Sequence, residues 1–306
     1  EPEIKTVVDF ILAHPNIGGL QSFHTSGGFF FRNPYQYGED KMDQEDLRAM
    51  KEIAREGTKV TGYPDVKSNN RSTLPEWAYE HLGLIGYTTE LWDRLGHAGL
   101  SSVESMKNTD PEKWEETQLR LLQWNDQELC GEGFFAWQPF LHPQLGPVEI
   151  GGWDPKFALQ NPPPHLLKQE CHKNSLWAIK HAETLPELEI SDHKVTVISD
   201  GIYKVQVSVQ NVGYLPTHIT NKGKQVARLE QDQLSIITPE ATVLSGERNI
   251  KIGFLQGYLN SATGPAKSSA TVTWLIQTNS PEITVELKSQ RGGNLQRSIL
   301  VNNSQF

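Results

Sequence analysis

The amino-acid sequence predicts two structural regions, an α/β region that is followed by an all-β sandwich. Segments with helical and strand patterns alternate from residue 1 to about residue 105, as expected for helices that pack on a sheet. From about Ile190 the apolar residues recur at every second position, which is typical of strands with one buried face. A proline-bearing segment, HAETLPELEIS (181–191), separates the two patterns. We therefore place the domains at 1–186 and 187–306.

The elements of the first region follow one another in a clear order. The segment EPEIKTVVDFILAHPNI (1–17) has apolar residues at helical spacing, so a helix is predicted almost from the first residue. A strand at LQSFHT (20–25), helices at MDQEDLRAMKEIAREG (42–57) and LPEWAYEHLG (74–83), and a strand at LIGYTTELW (84–92) follow. Residues 110–186 are richer in helix and open with Asp110, a predicted N-cap, before a proline at the first helical position.

The second region has the period of two that half-buried strands show. The segment IYKVQVSVQN (202–211) and the segment EITVELK (282–288) each place their large apolar residues on one face. These residues are Tyr203, Val205, Val207 and Val209 in the first, and Ile283, Val285 and Leu287 in the second. QRGGNLQ (290–296) is a hairpin signal, and a region of roughly 100 residues is the usual size of a sandwich.

Composition limits the class of protein. The 306 residues suffice for about two domains. A net charge of -9 argues against a nucleic-acid surface, which needs clustered Lys and Arg. No run of eighteen apolar residues occurs, so no membrane span is predicted. Cys130 and Cys171 permit one disulfide but not a disulfide framework.

Two residues at strand ends are candidates for chemistry. His24 lies at the predicted carboxyl end of a strand, where open α/β sheets place ligands and catalytic groups, but a satisfied core histidine is the alternative. Glu90 lies inside an otherwise apolar and hydroxyl-bearing strand, where an unpaired carboxylate is costly. It is either a salt-bridge partner of Arg94 or a general base whose pKa is set by burial and a nearby cation.

The segments that contain these residues resemble the zinc carboxypeptidases of the M14 family. EPEIKTVVDFILAHPNIGGLQSFHTSGG (1–28) is similar to the family's helix, strand and third zinc-ligand histidine. LPEWAYEHLGLIGYTTELWD (74–93) is similar to its helix and to the strand that bears the catalytic glutamate. The resemblance covers about residues 1–95 and implies part of a mixed carboxypeptidase-like sheet. It also implies that His24 binds Zn²⁺, that Glu90 is the general base, and that Tyr63 is the tyrosine that closes over the substrate, although a loop tyrosine remains the alternative.

The sequence also differs from this family. No histidine is followed by Glu three residues later, although such a motif supplies the family's first two zinc ligands. The family's upstream Asn-Arg pair, which binds the substrate's terminal carboxylate, is missing too. The chain begins without Met or a signal peptide, so we expect a fragment that lacks its upstream part and does not bind catalytic zinc well by itself.

Three functions therefore remain open. The first is a zinc exopeptidase that acts on the C-termini of peptides or proteins, with the sandwich as an accessory domain and a secreted or periplasmic location. The second is a deacylase or amidase of the same clan. The third is a non-catalytic binding protein with the same fold. The polar, glycine-rich segment HPQLGPVEIGGWDPKF (142–157) contains His142 and Glu149, and we interpret it as an ordered loop rather than a site.

Overall fold

The computed structural model describes residues 1–67, 73–226, 228–259 and 267–301. Seven α-helices form in these ranges: α1 Pro2–Ala13, α2 Gln44–Thr61, α3 Leu74–Leu82, α4 Arg94–His97, α5 Ser102–Lys107, α6 Pro111–Glu128 and α7 Pro164–Ala182. The strands of the first 186 residues are β1 Gly19–Thr25, β2 Phe29–Arg32, β3 Asp65–Lys67, β4 Ile85–Leu91, β5 Phe134–His142 and β6 Gly146–Trp153. Those that follow are β7 Leu188–Ser199, β8 Ile202–Asn211, β9 Asp232–Ile236, β10 Thr242–Ser245, β11 Asn249–Gly253, β12 Ser269–Gln277, β13 Glu282–Ser289 and β14 Gly293–Leu300.

A mixed four-stranded sheet organises the α/β region. Its strand order is β1-β4-β2-β3, with β1 parallel to β4, β2 antiparallel to β4 and β3 parallel to β2. Helices α2 and α7 cover one face, where the Tyr87 hydroxyl donates to the carbonyl of Met50 and the Tyr87 ring lies 5.2 Å from that of Trp177. Because side chains alternate along a strand, Thr88 and Glu90 lie on the face opposite to Tyr87, so Glu90 points away from α2 and α7.

Local signals fix the helices of this region. Asp43 caps α2 by accepting from the backbone N–H groups of Glu45 and Asp46, and Gly62 ends the helix in the left-handed conformation. Asp110 caps α6 as the sequence predicts, and Pro111 occupies the first turn. The predicted alternation of helices and strands in residues 1–105 is therefore present in the structure.

The second region consists of two four-stranded antiparallel sheets. Their orders are β10-β12-β8-β7 and β11-β9-β13-β14. The alternating apolar residues predicted from the sequence are buried between the sheets, together with Trp274, in a core that contains only residues from 188 to 301. The sequence prediction of an all-β, sandwich-like region is confirmed.

A long connection after β8 joins the two regions. Its side chains Leu215 and Ile219 are buried in the core of the α/β region rather than in that of the sandwich. The carboxylate of Asp46 on α2 is buried, and it accepts hydrogen bonds from the backbone N–H groups of Asn221 (2.6 Å) and Lys222 (3.1 Å). The connection between residues 211 and 225 therefore belongs structurally to both regions.

The region between the two differs from its predicted form. Strands β5 and β6 form a two-stranded hairpin, whereas the sequence interpretation placed an ordered loop at 142–157. His142 accepts from the backbone N–H groups of Gln144 and Leu145 and so stabilises the hairpin turn. Cys130 and Cys171 are both free and exposed, so the disulfide that the sequence permitted does not form.

Candidate functional site

The carboxyl ends of β1 and β4 bring His24 and Glu90 together. The two residues are direct partners in the parallel register, so their side chains lie on the same face of adjacent strands, which are spaced about 4.8 Å apart. This face is the one that α2 and α7 leave uncovered. His24 is exposed, and its Nε2 atom lies 3.1 Å from the hydroxyl of Ser22, two residues earlier on the same face. An exposed imidazole of this kind is not a satisfied core histidine.

The Glu90 carboxylate is half-buried, and its charge is only partly compensated. Burial raises the pKa of its carboxyl group above the ordinary value, and the nearby His24 lowers it only in part. Among the residues that the structure describes, none donates a hydrogen bond to this carboxylate or forms a salt bridge with it. The arrangement is an available carboxylate beside an exposed imidazole.

Arg94 does not neutralise Glu90. Its guanidinium lies over the ring of Trp153, 5.4 Å from the ring centre, and burial lowers the pKa of Arg94 without a compensating acidic group in the described chain. The salt bridge that the sequence left open as an alternative role for Glu90 is therefore absent from the described residues.

An apolar floor lies beside Glu90. Strand β2 pairs Phe29 with Glu90 and Phe31 with Thr88, so these four side chains share one face. Both phenylalanines are buried, contact each other at 4.9 Å edge to face, and pack with Tyr35. Sequence analysis missed this floor, although the run FFF after two glycines was the signal that could have indicated a buried strand.

A buried network holds the backbone that follows Glu90. The backbone N–H of Trp92 donates to the Tyr63 hydroxyl (2.9 Å) and to Glu170 (3.2 Å), and the Tyr63 hydroxyl donates to the same carboxylate. Glu170 also accepts from Asn174 (2.9 Å) and pairs with Lys173 (2.8 Å). This network fixes the end of β4 to α7.

The network holds Tyr63 in the core rather than at the surface beside a substrate. The resemblance implied a mobile tyrosine that closes over a substrate, but Tyr63 is only 1% exposed and its hydroxyl is engaged with Glu170 and Trp92. A side chain with these buried contacts does not fit that role. Glu170, which sequence analysis did not single out, is the carboxylate that organises this part of the core.

The described residues do not form a complete metal site. They contain no group of three His, Cys, Asp or Glu side chains that could hold a metal ion. A catalytic zinc ion ordinarily has three protein ligands. His24 is therefore at most one ligand, and the described part of the chain does not fit zinc by itself.

A comparison with known protein families gives a match in the β region. Residues 187–300 match the family described as a domain of unknown function, DUF8731. The match begins at the residue where the sequence analysis places the second domain, and it includes neither His24 nor Glu90. A search of the curated proteins found no significant match.

One similar solved structure is DesR, a beta-glucosidase from Streptomyces venezuelae in complex with D-glucose. The match has 16% identity and a TM-score of 0.17, and it covers 38% of this chain and 15% of that chain. A likeness of this size carries no argument about fold or activity. No helix in the described ranges is long and apolar enough to cross a membrane.

Proposed function

We propose that His24 and Glu90 belong to a metallopeptidase centre that hydrolyses the C-terminal peptide bond of peptides or proteins. In this proposal Glu90 is the general base, which takes a proton from the attacking water and passes it to the leaving amine. His24 is one protein ligand of a zinc ion. The M14 resemblance of residues 1–95 and the register partnership of the two residues support this assignment.

One observation carries the proposal, namely the half-buried Glu90 carboxylate without a donor in the described chain. Burying a carboxylate is costly unless hydrogen bonds or a cation compensate it. Glu170 shows how this chain compensates a structural carboxylate, since three hydrogen-bond donors and Lys173 surround it. A carboxylate that keeps a raised pKa beside an exposed histidine is typical of a functional group rather than a structural one.

The proposal requires further protein ligands. Because the described residues do not hold zinc alone, we propose that the remaining ligands and the binding site for the substrate's terminal carboxylate come from polypeptide outside these 306 residues. The position of β1 supports this proposal. β1 is an edge strand of the described sheet, where it pairs only with β4, so its other edge is open to a further strand. The 306-residue chain alone is then expected to be inactive.

The floor beside Glu90 suggests the preferred substrate. No acidic side chain other than Glu90 occurs in β2 or β4, and the neighbours of Glu90 on its face of these strands, the buried Phe29 and Phe31 among them, carry no charge. A basic C-terminal side chain would have no second carboxylate there to pair with, and burying its unpaired charge would be costly. An apolar side chain carries no such cost. We therefore propose substrates with an apolar C-terminal residue.

Hydrolysis by the polypeptide encoded by the complete gene tests the proposal. N-acylated dipeptides that end in Phe or Lys, and the corresponding C-terminal carboxamides, are compared in the presence of zinc. The free acid that ends in Phe should be cleaved fastest. Glu90→Gln should lower turnover by ~10²–10⁴-fold with zinc content unchanged, because the amide keeps the shape and removes the base. His24→Ala should lower zinc content.

A matched control is Glu189→Gln, which changes an exposed carboxylate on β7 and should leave turnover unchanged. Equal turnover of wild type and Glu90→Gln would remove Glu90 from the mechanism. Equal cleavage of free acids and carboxamides would instead indicate a deacylase or amidase. Bound substrate without any hydrolysis by the zinc-loaded protein would indicate a non-catalytic binding protein.

A further inference from the structure

The backbone adopts an unusual conformation at Trp92, two residues after Glu90. Trp92 has a φ of +68°, which lies in the left-handed region that a bulky side chain rarely adopts. Such a conformation costs about as much free energy as one hydrogen bond to a charged group contributes. It persists only where the surrounding structure holds it. The contacts of Trp92 therefore have to compensate this cost.

Three groups hold the turn at Trp92. Its backbone N–H donates to the Glu170 carboxylate (3.2 Å) and to the Tyr63 hydroxyl (2.9 Å), which itself donates to that carboxylate. The buried indole donates its N–H to the carbonyl of Ala158 (2.9 Å). Glu170 is the charged acceptor among these groups, and a hydrogen bond to an ionised group is roughly twice as strong as one between neutral groups. The Glu170 carboxylate is therefore the main contact that holds the backbone of Trp92.

The turn at Trp92 directs the chain back onto the connection between β1 and β2. The residue that follows, Asp93, packs directly on Gly28, since a Cβ atom at Gly28 would overlap Asp93. The N–H of the buried Gly28 donates in turn to the carbonyl of Glu90 (2.7 Å). The position of the Glu90 peptide group thus depends on the direction that the chain takes at Trp92.

We propose that Glu170 is a positioning residue for the general base Glu90 and acts through the left-handed turn at Trp92. The proposal rests on the proposed function of Glu90. Glu170 itself does not contact the substrate, because it is buried on α7 and Glu90 points away from that helix. Holding the turn keeps Glu90 beside His24, its partner in the strand register. A displacement of about 1 Å in a catalytic group can lower turnover ~100-fold.

Lys173 provides a control that separates positioning from a purely structural role. Its ammonium pairs with Glu170 (2.8 Å) and lies over the ring of Tyr63, 4.3 Å from the ring centre. An ammonium group cannot accept a hydrogen bond, so Lys173 does not replace Glu170 as the acceptor for the N–H of Trp92. Lys173→Met should therefore lower stability while the turn keeps its acceptors. Glu170→Leu in the Lys173→Met background then removes the carboxylate without leaving an unpaired ammonium.

The amide of Gly28 tests the proposal in the 306-residue chain, without any activity. After selective ¹⁵N-glycine labelling, NMR measures the hydrogen exchange and the chemical shift of this amide, which bonds the Glu90 carbonyl. Removing Glu170 in the Lys173→Met background should make the Gly28 amide exchange at least ~10-fold faster and should move its chemical shift, because the turn at Trp92 opens more often. Lys173→Met alone should leave both close to the wild-type values.

Glu170→Gln should have an intermediate effect on the Gly28 amide, because the amide oxygen still accepts a hydrogen bond but carries no charge. Circular dichroism checks that each variant is folded, and Glu170→Gln serves if the double variant is not. In the polypeptide encoded by the complete gene, removing Glu170 should lower kcat by ~10–100-fold and leave KM within about 3-fold, because Glu90 is displaced while the substrate-binding surfaces are unchanged. Lys173→Met should retain the kcat of the wild type.

An unchanged Gly28 amide in the folded Glu170 variants would overturn the proposal. An equal loss of kcat in Lys173→Met and in the Glu170 variants would also overturn it, in favour of a role in stability alone. A wild-type polypeptide from the complete gene that hydrolyses no substrate would refute the proposed function instead. The exchange of the Gly28 amide would then still decide whether Glu170 holds the peptide group of Glu90.

Discussion

Two carboxylates near the end of β4 should respond in opposite ways to the same substitution. Glu170→Gln removes the charge that pairs with Lys173 and replaces one carboxylate oxygen by an NH2 group, which donates but cannot accept a hydrogen bond. Hydrogen bonds to a charged group contribute about 1.5–3 kcal/mol each, and breaking a buried ion pair costs about 3–5 kcal/mol. Lys173 is partly exposed, so we expect the free energy of unfolding to fall by about 2–4 kcal/mol.

Glu90→Gln should leave the free energy of unfolding within about 0.5 kcal/mol of the wild type, or raise it. No described residue donates to the Glu90 carboxylate, and its pKa is raised by burial. The folded state therefore binds the Glu90 proton more tightly than the unfolded state does. This contribution to stability is present at acid pH and is lost as the pH rises through the raised pKa, so the variant should gain most relative to the wild type at neutral pH.

Urea titrations of the 306-residue chain at pH 5 and pH 7, followed by tryptophan fluorescence, measure both effects. A loss of 2 kcal/mol or more in Glu90→Gln would show that this carboxylate has a structural partner, and the argument for a general base would fail. A neutral Glu170→Gln would show that the network around Trp92 does not stabilise the fold as its contacts indicate.

Three further predictions concern stability. Asp46→Ala should lower the free energy of unfolding by about 3 kcal/mol in urea titrations, because two backbone N–H groups of the β region lose their buried acceptor, and an unchanged value would contradict this. Burial lowers the pKa of His181 to about 4, so stability that is present above pH 6.5 should be lost as the pH falls towards 4, by roughly 3 kcal/mol. In thermal melts at several pH values, the melting temperature of His181→Gln should depend less on pH than that of the wild type. An equal dependence would refute the lowered pKa of His181. Residues 187–301 produced alone should fold into a β-rich piece but self-associate through Leu215 and Ile219, and a random-coil circular dichroism spectrum would contradict this.

Local sequence signals predicted much of the fold, because the relevant interactions are short in range. The strand LQSFHT and the strand LIGYTTELW were found from apolar pattern, and β1 and β4 occupy these positions. Their parallel pairing then brings His24 and Glu90 into register. In the second region the alternation of apolar residues predicted the buried faces, because one side of each sheet is covered.

Other features depended on contacts that no local pattern contains. Tyr63 reaches Glu170 across 107 positions of the sequence, so its burial could not be read from its loop-like surroundings. The hairpin of residues 134–153 lacks a clear alternation, because both of its sides are largely exposed in the single chain. The sequence analysis assigned no role to the connection after β8, which contributes Leu215 to a core formed by residues far earlier in the chain.

The contact between Gly83 and Gly223 limits how the β region could be transferred to another protein. Gly83 has a φ of +63°, and a Cβ atom at this position would overlap the backbone of Gly223. Where backbone meets backbone, no side chain can rearrange to accept a differently shaped neighbour. Grafting residues 187–301 onto an unrelated host would therefore require a glycine at the matching helix end and a pocket for Ile219. A recombination event that joins a different polypeptide at the boundary between residues 186 and 187 would therefore separate two surfaces that fit only each other.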